Sequence, residues 1–285
     1  MTEEIKQLTN HHKELMNYYR TVETTIEKQN NERGICACGD TGWIVKHLHE
    51  HTETYSRIIE YAIPCKCTGV TMVKQKTERA GIPQEYEGLT LNNFDLDLYS
   101  PENRSIAEEA LKKASIYVRN YGNMRKEIHK TKGLYIYSNT RGSGKTRLSA
   151  SIANNLIRRE NTSVIFKTSV DLLMDIRKCY DKESRDRESD VVDKFCTVNV
   201  LIIDDIGAEK SSKFVDEVFF RILDTRMKNY RTTIFTSNIS RDSEKYEERI
   251  ADRLRKMTVE IKMPEESVRS KVGRKEEDDF FAMWN

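Results

Sequence analysis

The sequence predicts an α/β protein: a parallel sheet with helices on both faces, preceded by a small N-terminal helical domain that carries clustered cysteines. Short β-branched or aromatic runs at Leu134–Tyr137, Val164–Phe166, Val200–Ile203, Thr232–Phe235 and Val259–Ile261 are separated by stretches of helical apolar period. That alternation is the signature of strands joined by crossover helices. One strand, Gly133 to Tyr137, runs into a glycine-bearing loop and then an amphipathic stretch, Leu148 to Ile157. Ahead of the alternating region, four of the six cysteines fall in two close pairs.

The N-terminal elements come first. Residues 1 to about 30 read as a helix, because Ile5, Leu8, His12, Leu15, Tyr19, Val22 and Ile26 recur at helical spacing without Gly or Pro. Its apolar stripe either packs on its own domain or receives a partner. Residues 35 to 67 hold Cys36-Ala-Cys38 and Cys65-Lys-Cys67, separated by a span long enough for a hairpin or loop. Four thiolates in two pairs suit a tetrahedral Zn²⁺, and a closed set of four implies a structural metal. The single-residue spacers are tighter than the usual knuckle, so His47, His49 or His51 can replace a cysteine, and a set of reduced, partly buried thiols is the other reading. A polar connector with Gly81-Ile-Pro83 and Gly88 marks a boundary near residues 70 to 90, and a Ser-Pro start with apolar periodicity predicts a helix over Ser100 to Tyr121. The domains expected are therefore 1–80, 90–272, and a charged, aromatic tail over 273–285. Cys179 and Cys196 stand apart and read as core residues.

Bulk properties exclude several classes. Within the 285 residues no apolar stretch approaches the roughly 18 of a membrane span, and Met-Thr-Glu-Glu-Ile-Lys at the start lacks a signal peptide's apolar core. A soluble, cytoplasmic protein without membrane partners is expected, so a disulfide framework is not. Lys and Arg number 48 against 46 acidic residues, a net charge of +2, which argues against wholesale coating of nucleic acid and leaves local basic patches open.

Arg141-Gly142-Ser143-Gly144-Lys145-Thr146, between strand and helix, has the form of a phosphate-binding loop for a nucleoside triphosphate. Glycines turn backbone N–H groups inward, the helix N-terminus adds positive potential, Lys145 reaches the β- and γ-phosphates, and the Thr146 hydroxyl can ligate Mg²⁺. The usual pattern opens with a glycine where this chain has Asn139; asparagine tolerates left-handed backbone, which would let the loop close. Val200 to Ile203 then delivers Asp204 and Asp205 at a strand end. Asp204 suits the Mg²⁺ shell and Asp205 the polarising of attacking water, with a helix N-cap as the bland alternative. A further strand ends in Thr236-Ser237-Asn238, which puts an amide beside the γ-phosphate, although Ser-Asn after a strand is also ordinary turn chemistry.

Asp204-Asp205-Ile-Gly-Ala-Glu209, Phe235-Thr-Ser-Asn238 and Glu248-Arg249-Ile-Ala-Asp-Arg253-Leu254, in this order after the loop, resemble the AAA+ ATPases of the DnaC/DnaI helicase-loader group, with the IstB-type transposition ATPases close behind. The resemblance covers residues 90 to 272. It implies an AAA+ P-loop core that hydrolyses ATP to ADP and phosphate, with Asn238 as sensor 1. Arg253, with Arg249 second, is the implied finger toward a neighbouring subunit's ATP, and Arg269, in Ser267-Val-Arg269-Ser, the implied sensor 2 contact. Arginine suits these roles because its planar, permanent charge matches a transferring phosphoryl group; in a chain this charged each can also be a solvated helix face. The segment with Arg177, Lys178 and Tyr180 lies where the group contacts single-stranded DNA, a basic pair beside an aromatic, while Leu172, Leu173 and Ile176 are helix core by spacing. Asp181 to Asp190 reads as a mobile loop.

The resemblance implies a replicative helicase as partner, held by the zinc-bearing N-terminal region, together with single-stranded DNA and self-association through the AAA+ domain. ATP, Mg²⁺ and Zn²⁺ are the cofactors expected. The alternatives are an IstB-like regulator of a transposase and a zinc adaptor with a slow ATP switch. A small-molecule kinase fits less well, for want of a substrate lid.

Overall fold

The computed structural model describes residues 38, 42–51, 56–65, 68–127, 131–179, 188–210 and 212–283. The N-terminal helix expected over residues 1 to 30, Cys36, Cys67 and Tyr180 lie outside the described residues. The chain divides into two compact units, Met1–Gln75 and Lys76–Asn285.

In the first unit, β1 (Trp43–His51) and β2 (Ser56–Pro64) form an antiparallel hairpin, in register from Trp43 opposite Pro64 to His51 opposite Ser56. Helix α1 (Thr68–Ala80) follows, where the sequence suggests an irregular connector. It is built largely from long, unbranched residues such as Met72, Lys74, Gln75 and Lys76, which favour helix, and it ends on buried Ala80.

The second unit contains α2 (Pro101–Lys126), β3 (Gly133–Tyr137), α3 (Lys145–Glu160), β4 (Val164–Thr168), α4 (Ser169–Lys178), α5 (Glu188–Thr197), β5 (Val200–Asp204), α6 (Lys213–Lys228), β6 (Thr232–Ser237), α7 (Glu248–Met257), β7 (Thr258–Lys262) and α8 (Arg269–Ala282). All five expected strands are present and parallel, in the order β4-β5-β6-β3-β7. Helix α2 starts with Pro101 at its first turn, where a missing N–H costs nothing. The Thr168 and Ser212 hydroxyls cap α4 and α6 by accepting from Asp171 N and Val215 N. Two expectations change. Glu188 to Asp190, assigned to a loop, open α5, and the boundary drawn at residue 273 falls inside helix α8, which runs through Ala282.

Burial follows the pleat. Tyr135, Leu201, Ile203 and Phe235 belong to one apolar cluster with α4, α5, α6 and α7, and Cys196 is part of it with Cys179 packed at its margin. Leu134, Ile136, Ile202 and Ile234 alternate with them toward the other face, which α3 covers through Leu148, Ile152 and Leu156. Strand β5 is buried along its whole length. On the α6 side, fully buried Arg226 donates from Nε to Thr233 Oγ1 (2.9 Å), from Nη1 to the carbonyls of Phe195 (2.6 Å) and Val198 (2.9 Å), and from Nη2 to the Thr232 carbonyl. A cation at the carboxyl end of α5 gathers carbonyls that the helix leaves unpaired. Burial still pushes the guanidinium down to about 9.

Candidate nucleotide-binding site

The loop between β3 and α3 is held from two sides. Gly142 and Gly144 have φ of +75° and +91°, and a Cβ on them would meet Ser267 Oγ and Tyr99 OH, each at 2.6 Å. Glycine is required there both for the left-handed backbone and for the close approach. Tyr99 OH donates to the Ser143 carbonyl (2.9 Å), and Val268 N donates to the Gly142 carbonyl (2.9 Å). Asn139 does not use the left-handed region, which among described non-glycine residues holds only Asn161, Asp205 and Tyr230. The turn is closed instead by Glu265, whose Oε1 accepts from Asn139 N (3.2 Å) and Nδ2 (3.1 Å). Lys145 opens α3 and is buried, and its ammonium donates to the Thr140 carbonyl (2.8 Å) and Ser143 Oγ (3.2 Å). Burial pulls its pKa down, against the opposing pull of Asp205 and Asp204.

At the ends of β5 and β6, one hydroxyl organises two carboxylates. Thr236 Oγ1 donates to Asp204 Oδ1 (2.6 Å) and accepts from Asp205 N (2.8 Å). Thr146 Oγ1 donates to Asp204 Oδ2 (3.1 Å). Burial raises the Asp204 pKa, the hydroxyls of Thr236 and Thr146 oppose the shift, and Asp205 adds to it. A buried carboxylate served by hydroxyls and lacking a cation is suited to a divalent metal beside Thr146. Asp205 is left-handed, φ +59°, a conformation aspartate tolerates, and its Oδ1 accepts from Asn238 Nδ2 (2.7 Å). The Asn238 Oδ1 is buried with no hydrogen-bond partner among the described residues. An unpartnered amide oxygen at that point is an acceptor for a ligand or water.

These groups share one cavity of about 300 Å³, lined by the loop from Arg141 to Arg147, by Asp204, Asp205, Asn238 and Arg269, and at its far end by Tyr86, Phe94, Leu98, Tyr99, Val268 and Val272. Phe94 and Tyr99 stack (6.3 Å between centroids, 13° between planes), and Arg147 sits 5.6 Å from the Phe94 ring centroid. Burial pushes the Tyr86 hydroxyl up to about 12, so it stays a donor at neutral pH. Nothing in the sequence marks this far end; its apolar residues lie before α2 and after β7, on either side of the core motifs.

Arg249 and Arg253 lie outside this cavity, on α7. Arg253 donates from Nε (3.1 Å) and Nη2 (2.6 Å) to Asp224 Oδ1 and stacks on Phe220 at 4.0 Å. Arg249 covers the same ring at 4.6 Å and pairs with Glu247 at 2.7 Å. Arg177 stacks on Phe214 at 5.2 Å, and Lys178 pairs with Asp175 at 3.6 Å. In the first unit, Cys38 Sγ accepts from Gly42 N (3.4 Å), and Cys65 N donates to the Gly42 carbonyl (2.9 Å). Among the described residues no group of three or more metal-ligating side chains forms, and no helix is long and apolar enough to cross a membrane.

A phosphate loop between β3 of a five-stranded parallel sheet and α3, with paired carboxylates and an amide at the ends of β5 and β6, defines an ATP-binding domain of the AAA+ class. The chain belongs to the IstB-like ATP binding protein family, whose family model matches residues 129–275, just over half of it. It is 28% identical over 188 residues to the replicative helicase loader DnaC of Escherichia coli K12, covering 65% of this chain and 70% of that one. It is 36% identical over 121 residues to the replicative helicase loader DnaI of Bacillus subtilis, 42% of this chain and 37% of that one. The solved structure of DnaI superposes with a TM-score of 0.51 at 28% identity, over 68% of this chain and 100% of that chain.

Proposed function

We propose that this chain is an ATP-dependent loader that places a replicative helicase on single-stranded DNA at the start of replication. The names of its relatives support the partner, and the network joining Thr146, Asp204, Thr236, Asp205 and Asn238 beside Lys145 is the observation that carries the chemistry. Lys145 keeps the Thr140 carbonyl and turns its other N–H donors from Ser143 Oγ and the Ser138 carbonyl to the β- and γ-phosphates, and the stacked Phe94 and Tyr99 with Val268 and Val272 form an apolar slot for the base. Thr146 and Asp204 would hold Mg²⁺, which would supply positive charge to offset that of the phosphates. Asp205 takes a proton from the attacking water as the bond between the γ-phosphorus and the ADP oxygen breaks, and Asn238 orients that water through its unpartnered Oδ1. Arg269 stabilises the γ-phosphoryl group in cis. Arg253, with Arg249 beside it, stabilises the group bound to a neighbouring copy, so ATP binding favours assembly and hydrolysis releases it.

Residues 1–80 hold the helicase in this reading, with Cys36, Cys38, Cys65 and Cys67 around Zn²⁺. The Gly42 N–H to Cys38 Sγ bond, at the base of the same hairpin as Cys65, supports that ligand set. Arg177, Lys178 and Tyr180 contact DNA. The test combines the chain, the replicative helicase of its source and DNA coated with single-strand-binding protein; helicase-dependent unwinding should require both the chain and ATP. A second reading, regulation of a transposase, rests on the resemblance to IstB-type transposition ATPases, and the match to the IstB-like ATP binding protein family is consistent with it. Affinity capture separates the two: a transposase rather than a helicase in the eluate overturns the loader.

A further inference from the structure

The turn that begins the phosphate loop is built differently from one that opens with glycine. Asn139 occupies that position with ordinary backbone, and four hydrogen bonds to one carboxylate replace conformational freedom. Glu265 follows β7, yet its Oε1 accepts from Asn139 N (3.2 Å) and Nδ2 (3.1 Å), and its Oε2 from Thr140 Oγ1 (3.1 Å) and Ser138 Oγ (3.2 Å). The carboxylate thus ties three successive residues. The same segment holds the lysine: Lys145 Nζ donates to the Thr140 carbonyl (2.8 Å) and, more weakly, to the Ser138 carbonyl (3.4 Å). Ser138 Oγ shares its one proton between Glu265 Oε2 and the nearer Pro264 carbonyl (2.8 Å), and Met263 N donates to the Tyr137 carbonyl (2.7 Å), so the whole stretch after β7 is laid against the loop. Glu265 lies outside the nucleotide cavity, so it acts on the loop and does not touch the ligand.

We propose that Glu265 is a positioning residue that substitutes for the absent first glycine, fixing the Ser138–Thr140 turn and, through the Thr140 carbonyl, the lysine that receives the phosphates. The inference rests on the reading of this cavity as an ATP site and names a residue specific to that site. Burial works against the charge on Glu265, but the bonds from Asn139, Thr140 and Ser138 prevail and keep its carboxyl below the ordinary range. The latch is therefore ionised at neutral pH and takes all four donors as an acceptor. A glutamine can turn its carbonyl oxygen to Asn139 N and Nδ2 and its NH₂ to the Thr140 and Ser138 hydroxyls, which can accept, so it loses the charge and keeps much of the set.

The experiment measures ATP and ADP affinity by calorimetry, with thermal melting of the nucleotide-free protein alongside. Glu265→Ala should weaken ATP binding roughly 5- to 10-fold, the net scale of one ordinary hydrogen bond, and Glu265→Gln should lose less. In an Asn139→Gly background, where the turn closes without a side chain to restrain, the same Glu265→Ala change should alter affinity by less than about 2-fold. That coupling is what a merely structural surface residue would not produce. Unchanged affinity in Glu265→Ala, a larger loss in Glu265→Gln than in Glu265→Ala, or an equal loss in both backgrounds overturns the latch. So does a loss explained by melting of the nucleotide-free variant at the assay temperature. Failure of the unaltered protein to bind any nucleotide removes the ATP-site reading itself and is seen before any variant is made.

Discussion

Thr236→Val exchanges a hydroxyl for a methyl at a buried position, so packing is preserved and only hydrogen bonding is lost. The hydroxyl serves two acidic residues: it donates to Asp204 Oδ1 at 2.6 Å and accepts from Asp205 N at 2.8 Å. Removing it takes a donor from a buried carboxylate and leaves a backbone N–H without its acceptor. A bond to a charged group contributes about 1.5–3 kcal/mol and an orphaned N–H costs about 1–3; allowing for relaxation, the loss should be about 3 kcal/mol. In a unit of this size each kcal/mol moves Tm by about 2–4 °C, so the nucleotide-free variant should melt roughly 6–12 °C lower. The Thr236 hydrogen bond is also the larger of the two that restrain the raised Asp204 pKa. Its loss should raise that pKa further, move the acid limb of ATP turnover to higher pH and increase the Mg²⁺ needed for half-maximal rate. Thr236→Ser should recover both properties. A valine variant with native Tm and native Mg²⁺ dependence would show that the hydroxyl does not organise the two aspartates.

Lys145→Ala should abolish ATP binding, whereas Asp205→Asn should bind ATP and lose at least about 10²-fold in turnover, because the first removes phosphate charge compensation and the second a proton acceptor; calorimetry and phosphate release distinguish them. Arg253→Ala should leave the ATP affinity of an isolated subunit unchanged and reduce turnover; mixed with Asp205→Asn subunits it should regain part of the activity, and a flat response at every mixing ratio removes the trans assignment. Asp204 has a folded-state pKa above that of the unfolded chain, so the stability it contributes is present below the ordinary aspartate pKa and is lost as pH rises through the raised value. Metal-free melting temperatures should reflect that loss across the window, and added Mg²⁺ should abolish the slope if Asp204 is its ligand.

The parts legible in the sequence are those written in contiguous residues. Five strands announce themselves as β-branched or aromatic runs, and Gly142 to Thr146 lie together because a loop and a helix N-terminus are local structures. Asp204 and Asn238 are legible because each ends a strand that the pattern already marks. What was not legible depends on partners far apart in the chain. Glu265 lies 126 positions from Asn139, and nothing near either residue signals the other. Arg226 looks like an ordinary last-turn cation on an amphipathic helix, yet it is fully buried because carbonyls from Phe195, Val198 and Thr232 converge on it. Helix α1 was missed because its few apolar residues, among them Val70, Val73 and Ala80, are diluted by polar ones. The Asn139 expectation had the right consequence, a closed loop, by the wrong route, since a distant carboxylate supplies what backbone freedom was supposed to.

The charge of the cavity bears on why a finger from another copy belongs in the proposal. Its lining cations are Arg141, Lys145, Arg147 and Arg269, and its lining acids are Glu85, Asp95, Asp204 and Asp205, so with all of them ionised the wall is neutral. Mg²⁺ would offset part of the triphosphate charge, and magnesium-bound ATP would still carry net negative charge into a site with no surplus cation to meet it. Hydrolysis spreads that charge over the γ-phosphoryl oxygens, where an added guanidinium is most effective. Within one chain Arg253 lies outside the cavity, its Nε and Nη2 committed to Asp224 and its face to Phe220. Asp224 is itself held below its usual carboxylate range, by Lys228 first and Arg253 second, so the acceptor stays ionised and the arginine stays oriented. A preoriented cation on the surface of one copy and a cation-poor ATP site in the next are complementary, and assembly would be the step that completes each site.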